Sequence, residues 1–152
     1  MAQIANFTWP QGEDLDIKLI YKEGPVGSEV VIDLSSGYTL RMDITAGALK
    51  ERVYTFNTAS IADVDPILAG AQPDNVIEGV LSSGAGGTPN ITISVPRSLT
   101  LPTTGAVYLK YTANPSVSTF DYDIFLRHTA SDKQAKILSG VITIEDSKTL
   151  WV

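Results

Sequence analysis

The sequence has no cysteine and a single histidine among its 152 residues. The missing cysteines exclude disulfides, thiolate zinc sites and thiol nucleophiles. A Ser-His-Asp triad or a histidine-rich metal site would have to be built around His128. This residue ends an alternating segment just before a polar turn, which is typical of a surface histidine. We therefore expect a protein that is not an enzyme, without catalytic residues, metal ligands or cofactors.

Positive charge is also scarce, since 11 lysines and arginines stand against 17 acidic residues, for a net charge of −6. The basic residues are scattered and form no stripe that would neutralise phosphates, so we expect no nucleic-acid partner. No apolar run approaches the roughly 18–20 residues that span a bilayer, so we expect no membrane span. The first residues lack the basic and apolar regions of a signal peptide, which predicts folding in the cytoplasm.

Alternation of apolar and polar residues is the dominant pattern. It is clearest in Leu15–Tyr21, Tyr38–Ile44 and Ile91–Val95, which are also rich in β-branched and aromatic residues. Successive side chains of a strand point to opposite faces, so this pattern predicts half-buried antiparallel strands. Five weaker segments extend the prediction: Val53–Asn57, Val76–Leu81, Val107–Thr112, Phe120–His128 and Ala135–Glu145.

Turn-forming residues separate these segments. The chain has 12 glycines and 8 prolines, and turns are predicted at 23–28, 82–90 and 131–133. One short helix is predicted at Ser60–Leu68, where a proline limits it to one or two turns. Gly140, inside the last strand, predicts a bulge or a close approach of another backbone.

These elements predict an all-β fold in a single domain, residues 1–152. A chain of this size supports one hydrophobic core without a metal or a disulfide. About eight short strands with at most one short helix indicate an antiparallel sandwich or a barrel, not a βαβ fold. The architecture that we predict is an antiparallel two-sheet β-sandwich.

Close pairs of aspartates are an alternative source of chemistry. Paired acids perform general acid-base catalysis or hydrolyse glycosides in many enzymes. Residues two apart in a strand share a face, however, and these pairs lie on the polar faces of their elements, which indicates a solvated surface. The pairs are Asp14 and Asp16, Asp63 and Asp65, and Asp121 and Asp123.

Asn6 and Asn90 begin glycosylation sequons, a pattern short enough to match often by chance.

The two ends of the chain, residues 1–10 and 147–152, are the predicted contact surfaces for partners. Each end carries a tryptophan and a second large apolar residue. Aromatic residues are favoured at the centres of interfaces, where they supply contact area at low entropic cost. The alternative is that these side chains cover open edges of their own domain. The interface candidates are Phe7, Trp9, Leu150 and Trp151.

Five segments of the chain, taken in order, form a pattern that is found in other proteins. They are Gln11–Leu19, which opens with Gln-Gly-Glu-Asp; Ile32–Ile44, which contains Asp-Leu-x-x-Gly-Tyr-x-x-x-Met-x-Ile; Ile91–Val95; Tyr122–Leu126; and Leu138–Ile144, of the form Leu-x-Gly-x-x-x-Ile. The ordered set resembles the N-terminal domains of bacteriophage upper baseplate proteins and related minor tail proteins. The resemblance implies a β-sandwich that packs into a symmetric phage assembly and contacts neighbouring tail or baseplate subunits.

The resulting hypothesis is a non-enzymatic structural protein of a bacteriophage virion, in the tail, the tail tip or the baseplate. It predicts several copies in a symmetric assembly, put together in the bacterial host cytoplasm, with other virion proteins as partners. One alternative places the protein on the capsid, as a decoration or head-fibre protein. A further alternative is a carbohydrate-binding β-sandwich module, which exposed coplanar aromatic residues on one face would support.

Overall fold

The computed structural model describes residues 3–46, 51–57, 78–95, 97 and 117–145. Most of these residues are in strands, which confirms the predicted all-β class, and a turn of 3₁₀ helix lies at Ala85–Gly87. No helix within these ranges has the length and apolar character to cross a membrane. The strands are β1 (Gln3–Ile4), β2 (Phe7–Pro10), β3 (Leu15–Leu19), β4 (Lys22–Glu23), β5 (Val30–Val31), β6 (Tyr38–Ala46), β7 (Glu51–Asn57), β8 (Glu78–Leu81), β9 (Ile91–Val95), β10 (Val117–His128) and β11 (Lys133–Glu145).

Seven of the eight predicted segments are confirmed as strands, namely β3 and β6 to β11. The eighth, Val107–Thr112, lies outside the described residues, as does the predicted helix at Ser60–Leu68. The sequence pattern did not indicate the four short strands β1, β2, β4 and β5, because two to four residues are too few to show an alternation.

The larger sheet has the strand order β1-β11-β10-β6-β7, and β2 also pairs with β11. The pairings of β10 with β11, β10 with β6, and β6 with β7 are antiparallel. β1 and β2 run parallel to β11, with Ile4 opposite Ser139 and Phe7 opposite Ile142. The predicted antiparallel pairing therefore has an exception at this edge, because these strands reach β11 from the far end of the chain and not through a hairpin.

The smaller sheet faces the larger one across a common core. It is antiparallel, in the order β3-β9-β8. Side chains from both sheets form one buried cluster, as a two-layer sandwich requires. In β3, β6, β9, β10 and β11 the buried residues are those that the alternation predicts for the apolar face. They are Leu15, Ile17, Ile91, Ile93 and Val95 from the smaller sheet, and Leu40, Met42, Ile44, Phe120, Tyr122, Ile124, Leu126, Leu138, Ile142 and Ile144 from the larger.

Gly140 is a point of close backbone approach, one of the two roles predicted for it. A Cβ atom at this position would lie 2.1 Å from the carbonyl oxygen of Ala5, which connects β1 to β2. That carbonyl accepts a hydrogen bond from the hydroxyl of the buried Tyr122, and the Ala5 N–H donates to the carbonyl of Ser139 (2.9 Å). The bulge lies elsewhere, since the register of β10 and β11 skips Ile137. Gly140 thus lets the N-terminal segment pack directly against β11.

Candidate functional site

The most exposed large apolar side chain of the described residues lies at the tip of a projecting hairpin. We call residues 22–31, which comprise β4, β5 and the turn between them, the arm. Its two strands pair with each other in a sheet of their own. Val26 at the tip is 98% exposed and Val30 is 64% exposed. The Ser28 N–H closes the turn by donating to the carbonyl of Pro25 (2.9 Å). The arm therefore presents apolar surface to the surroundings in a defined shape.

Asn90 fixes the base of the arm to the core. Its side chain is fully buried, and Oδ1 accepts the backbone N–H of Tyr21 (2.7 Å). Nδ2 donates to the carbonyls of Tyr21 (3.0 Å) and Ile32 (2.8 Å), so the residues that flank both strands of the arm are held by one amide group. The sequon at Asn90 is therefore part of the internal packing, because a buried and fully hydrogen-bonded amide is not accessible for glycosylation.

A groove of about 730 Å³ runs between the arm and β11, and Val26 lines it. The edge of β11 beside this groove is partly open. β10 pairs with β11 from Lys133 onwards, whereas β1 pairs with it at Leu138 and Ser139. In the part of the chain that the structure describes, residues 133–137 therefore have a strand on one side alone. An open strand edge offers backbone donors and acceptors to another chain.

A second groove, of about 610 Å³, adjoins the first, and Tyr21, Glu23 and Ala135 line both. We call it the tyrosine groove. Tyr38 and His128, which are paired across β6 and β10, also line it, with their ring centroids 4.9 Å apart. Aromatic rings and polar groups thus share one open surface. The polar residues that line it are Glu23, Ser131, Lys133 and Gln134.

The Tyr21 phenol at the junction of the two grooves is held in its neutral form. Its hydroxyl donates a hydrogen bond of 2.8 Å to Oε1 of Glu23. Burial, this hydrogen bond and the negative charge of Glu23 together raise the pKa of Tyr21 to about 12. In the core, burial and the charge of Asp123 raise the pKa of Tyr122 to about 12 as well. Both phenols are therefore hydrogen-bond donors throughout the physiological pH range.

We expect the folded protein to lose stability as the pH rises from about 10 to about 12. Tyrosine in an unfolded chain ionises near pH 10, whereas Tyr21 and Tyr122 keep their protons until about pH 12 in the folded chain. The stability that these groups contribute is complete below pH 10 and is lost as the pH rises through 12. A titration of tyrosinate absorbance measures this, and Tyr21→Phe and Tyr122→Phe should each remove one late ionisation step. An unchanged late step in both variants would contradict the assignment.

His128 and Ser131 form a close pair in the turn between β10 and β11. Nδ1 of His128 lies 2.8 Å from the Ser131 hydroxyl and accepts the Ser131 N–H at 3.3 Å. A catalytic hydroxyl–base pair needs a third group that orients the base. The neighbouring carboxylate of Asp132 instead forms an ion pair with Arg127 (2.7 Å). We interpret the pair as one that closes the turn. Across the described ranges, no three side chains of the ligand types are grouped to hold a metal ion.

The described aspartate pairs lie on strand faces away from the core. Asp14 and Asp16 are exposed, which confirms the predicted solvated face, and Asp14 accepts the backbone N–H of Arg97 (2.7 Å). Asp123 is half-buried and forms an ion pair with Lys136 (3.3 Å). Asp14 and Asp123 therefore bind other residues of their own chain. The pair formed by Asp63 and Asp65 lies outside the described residues.

No protein-family model and no curated protein matches the chain.

Of the two N-terminal interface candidates, Trp9 belongs to the core of its own domain and Phe7 packs against that core. Trp9 is 0% exposed, and its indole N–H donates to the carbonyl of Glu13 (2.6 Å). This burial corrects the expectation that Trp9 offers surface to a partner. The alternative applies, because Trp9 covers part of its own domain. Phe7 is half-buried, with its ring centroid 5.6 Å from that of Tyr122. Leu150 and Trp151 lie outside the described residues.

The sequence pattern did not indicate the arm as a separate hairpin. It predicts only a turn at 23–28, which the hairpin contains. The available signal was Val26 itself, an apolar residue between Pro25 and Gly27 in an otherwise polar turn. Tyr21 and Tyr38 each lie at an end of an alternating run, and both side chains are half-buried.

Proposed function

We propose that the protein is a non-enzymatic structural subunit of a bacteriophage virion, in the tail, the tail tip or the baseplate. It acts in several copies that pack against one another and against neighbouring virion proteins. The observation that carries this proposal is the arm, a projecting hairpin with an almost fully exposed valine at its tip. The order of the strand segments resembles that of phage baseplate domains, and this resemblance supports the assembly of the protein into a virion.

The arm is suited to contact with a second protein because it exposes apolar side chains that its own domain does not cover. Val26 and Val30 are largely exposed, and Ile20 at the base of the arm is about half exposed at 47%. Burial of a valine or isoleucine side chain stabilises a contact by roughly 1.5–3 kcal/mol. In a symmetric ring each copy repeats the contact, so a small surface is sufficient.

The hydrogen bonds of Asn90 to the base of the arm favour the same function. A loop that must be ordered during binding loses conformational entropy, which reduces the affinity. The hydrogen bonds of Asn90 to Tyr21 and Ile32 order the base of the arm before any partner arrives. Lys133 and Lys136 on the neighbouring open edge are exposed, and edge lysines oppose indiscriminate strand pairing. The contact with a partner is therefore made by the arm and not by the open edge of β11.

The test is the composition and assembly of virions from a phage that carries the gene. We expect mass spectrometry to find the chain in purified virions, and cross-links from the arm to lead to a tail or baseplate protein. Val26→Asp should abolish incorporation while the free energy of unfolding of the isolated chain changes by no more than about 0.5 kcal/mol, because the side chain has no internal contacts to lose.

Val80→Asp is the matched control, since Val80 is also exposed (56%) but lies on β8, outside the arm. This variant should be incorporated as well as the wild type. Absence of the chain from virions would overturn the proposal, and normal incorporation of Val26→Asp would remove the role of the arm. Cross-links to the major capsid protein would place the subunit on the capsid instead.

A further inference from the structure

We propose that the tyrosine groove binds a neutral carbohydrate, one or two pyranose rings in size. This inference goes beyond the proposed structural function and does not depend on it. The groove's volume of about 610 Å³ falls in the range of ligand sites, roughly 300–1,000 Å³. Its lining combines aromatic rings with hydrogen-bonding groups, and this combination selects the class of ligand.

Three aromatic rings provide the apolar part of the site. Tyr21, Tyr38 and His128 all line the groove, and each is half-buried, so its ring is partly open to a ligand. A pyranose ring has a face of polarised C–H bonds, whose positive hydrogens are attracted to the negative face of an aromatic ring.

The polar lining carries both donors and acceptors and no net charge. The carboxylate of Glu23 accepts hydrogen bonds, and the ammonium group of Lys133 donates them. The amide of Gln134 and the hydroxyl of Ser131 do both. Sugar hydroxyls are themselves donors and acceptors, so such a set pairs with them. Since the Glu23 and Lys133 charges cancel, the groove favours a neutral sugar over an acidic one.

The aromatic groups are held in place without a ligand. The Tyr21 hydroxyl is bonded to Glu23, and the Tyr21 backbone is fixed by the buried Asn90. His128 is bonded to Ser131 through Nδ1 and packs against Tyr38. A ligand therefore meets ordered side chains, and binding loses little side-chain entropy.

The experiment is saturation-transfer NMR of the purified 152-residue chain with glucose, galactose, mannose and N-acetylglucosamine, and with glucuronic acid as the acidic probe. We expect transfer to at least one neutral sugar and weaker transfer to glucuronic acid. The amide shifts that change on titration should map to residues 21, 38, 128 and 134. No transfer to any of the four neutral sugars, shift changes elsewhere, or a preference for glucuronic acid would each overturn the proposal.

Tyr38→Leu supplies the decisive variant, because it keeps an apolar side chain and removes the aromatic face. We expect about tenfold weaker binding from the lost stacking. Phe125→Leu is the matched control: Phe125 lies on β10 outside the groove, and its variant should bind as the wild type does. Gln134→Ala, at an exposed position, should weaken binding several-fold and serves if Tyr38→Leu does not fold. Wild-type affinity in the folded groove variants would contradict the assignment.

Discussion

Asn90→Ala is expected to lower the free energy of unfolding by about 3 kcal/mol. The substitution removes three hydrogen bonds and leaves the N–H of Tyr21 and the carbonyl of Ile32 without this partner, whereas the Tyr21 carbonyl keeps the Ile32 N–H. Each buried backbone group left unsatisfied costs about 1–3 kcal/mol. Because these groups join the arm to the core, the arm is the first part to open. Urea denaturation measures the global loss, and amide hydrogen exchange measures the opening of residues 22–31.

Asn6→Ala is the matched control for this variant. Asn6 also begins a sequon and also accepts a backbone N–H, that of Val141 (3.0 Å), but its side chain is exposed. Water replaces the lost bond there, so we expect a loss below about 1 kcal/mol. Equal losses in the two variants would show that the buried position of Asn90 is not what makes it important.

Gly140→Ala is expected to lower stability by at least about 3 kcal/mol, or to detach β1 and β2 from the sheet. The new Cβ would lie 2.1 Å from the oxygen and 2.8 Å from the carbon of the Ala5 carbonyl, and backbone atoms cannot move aside as a flexible side chain does. Displacement of Ala5 also breaks the hydrogen bond that its carbonyl accepts from Tyr122. Urea denaturation gives the global effect, and amide exchange of residues 4–10 shows whether these strands have separated.

Gly86→Ala tests whether the clash or the backbone conformation matters. Gly86 has a positive φ (+71°) in the turn before β9, and a Cβ there meets nothing within 4 Å. We expect a loss of about 1–2 kcal/mol, which is the cost of a left-handed conformation for alanine. If Gly140→Ala were no worse than Gly86→Ala, the close packing of the N-terminal segment on β11 would not stabilise the fold.

The face of each long strand was predictable from the sequence, for a physical reason. In β6 and β10 the apolar side chains recur at every second residue, and those of Leu40–Ile44 and Phe120–Leu126 are buried in the common core. This alternation involves only residues that are close together in the sequence, so the sequence alone is enough to predict the buried face. The close approach at Gly140 was also signalled locally, because a glycine inside a strand leaves room for another backbone.

The candidate site was not predictable in the same way. The role of Asn90 depends on Tyr21 and Ile32, which are 69 and 58 residues away in the sequence. Nothing in its neighbours distinguishes a buried amide from an ordinary loop asparagine. The tyrosine groove likewise forms where the start of β6, the end of β10 and the base of the arm meet, and such a meeting is a property of the tertiary structure.

The parallel pairing of β1 and β2 with β11 sets the order of events when the chain is made. Asn6 and Val141, which are hydrogen-bonded in the fold, are 135 residues apart, so β1 and β2 leave the ribosome long before the strand with which they pair. Contacts of such sequence separation close slowly and keep strand edges open meanwhile. The larger sheet is therefore completed only after β11 has been made, and the pairing of β1 and β2 with β11 is a late step in folding.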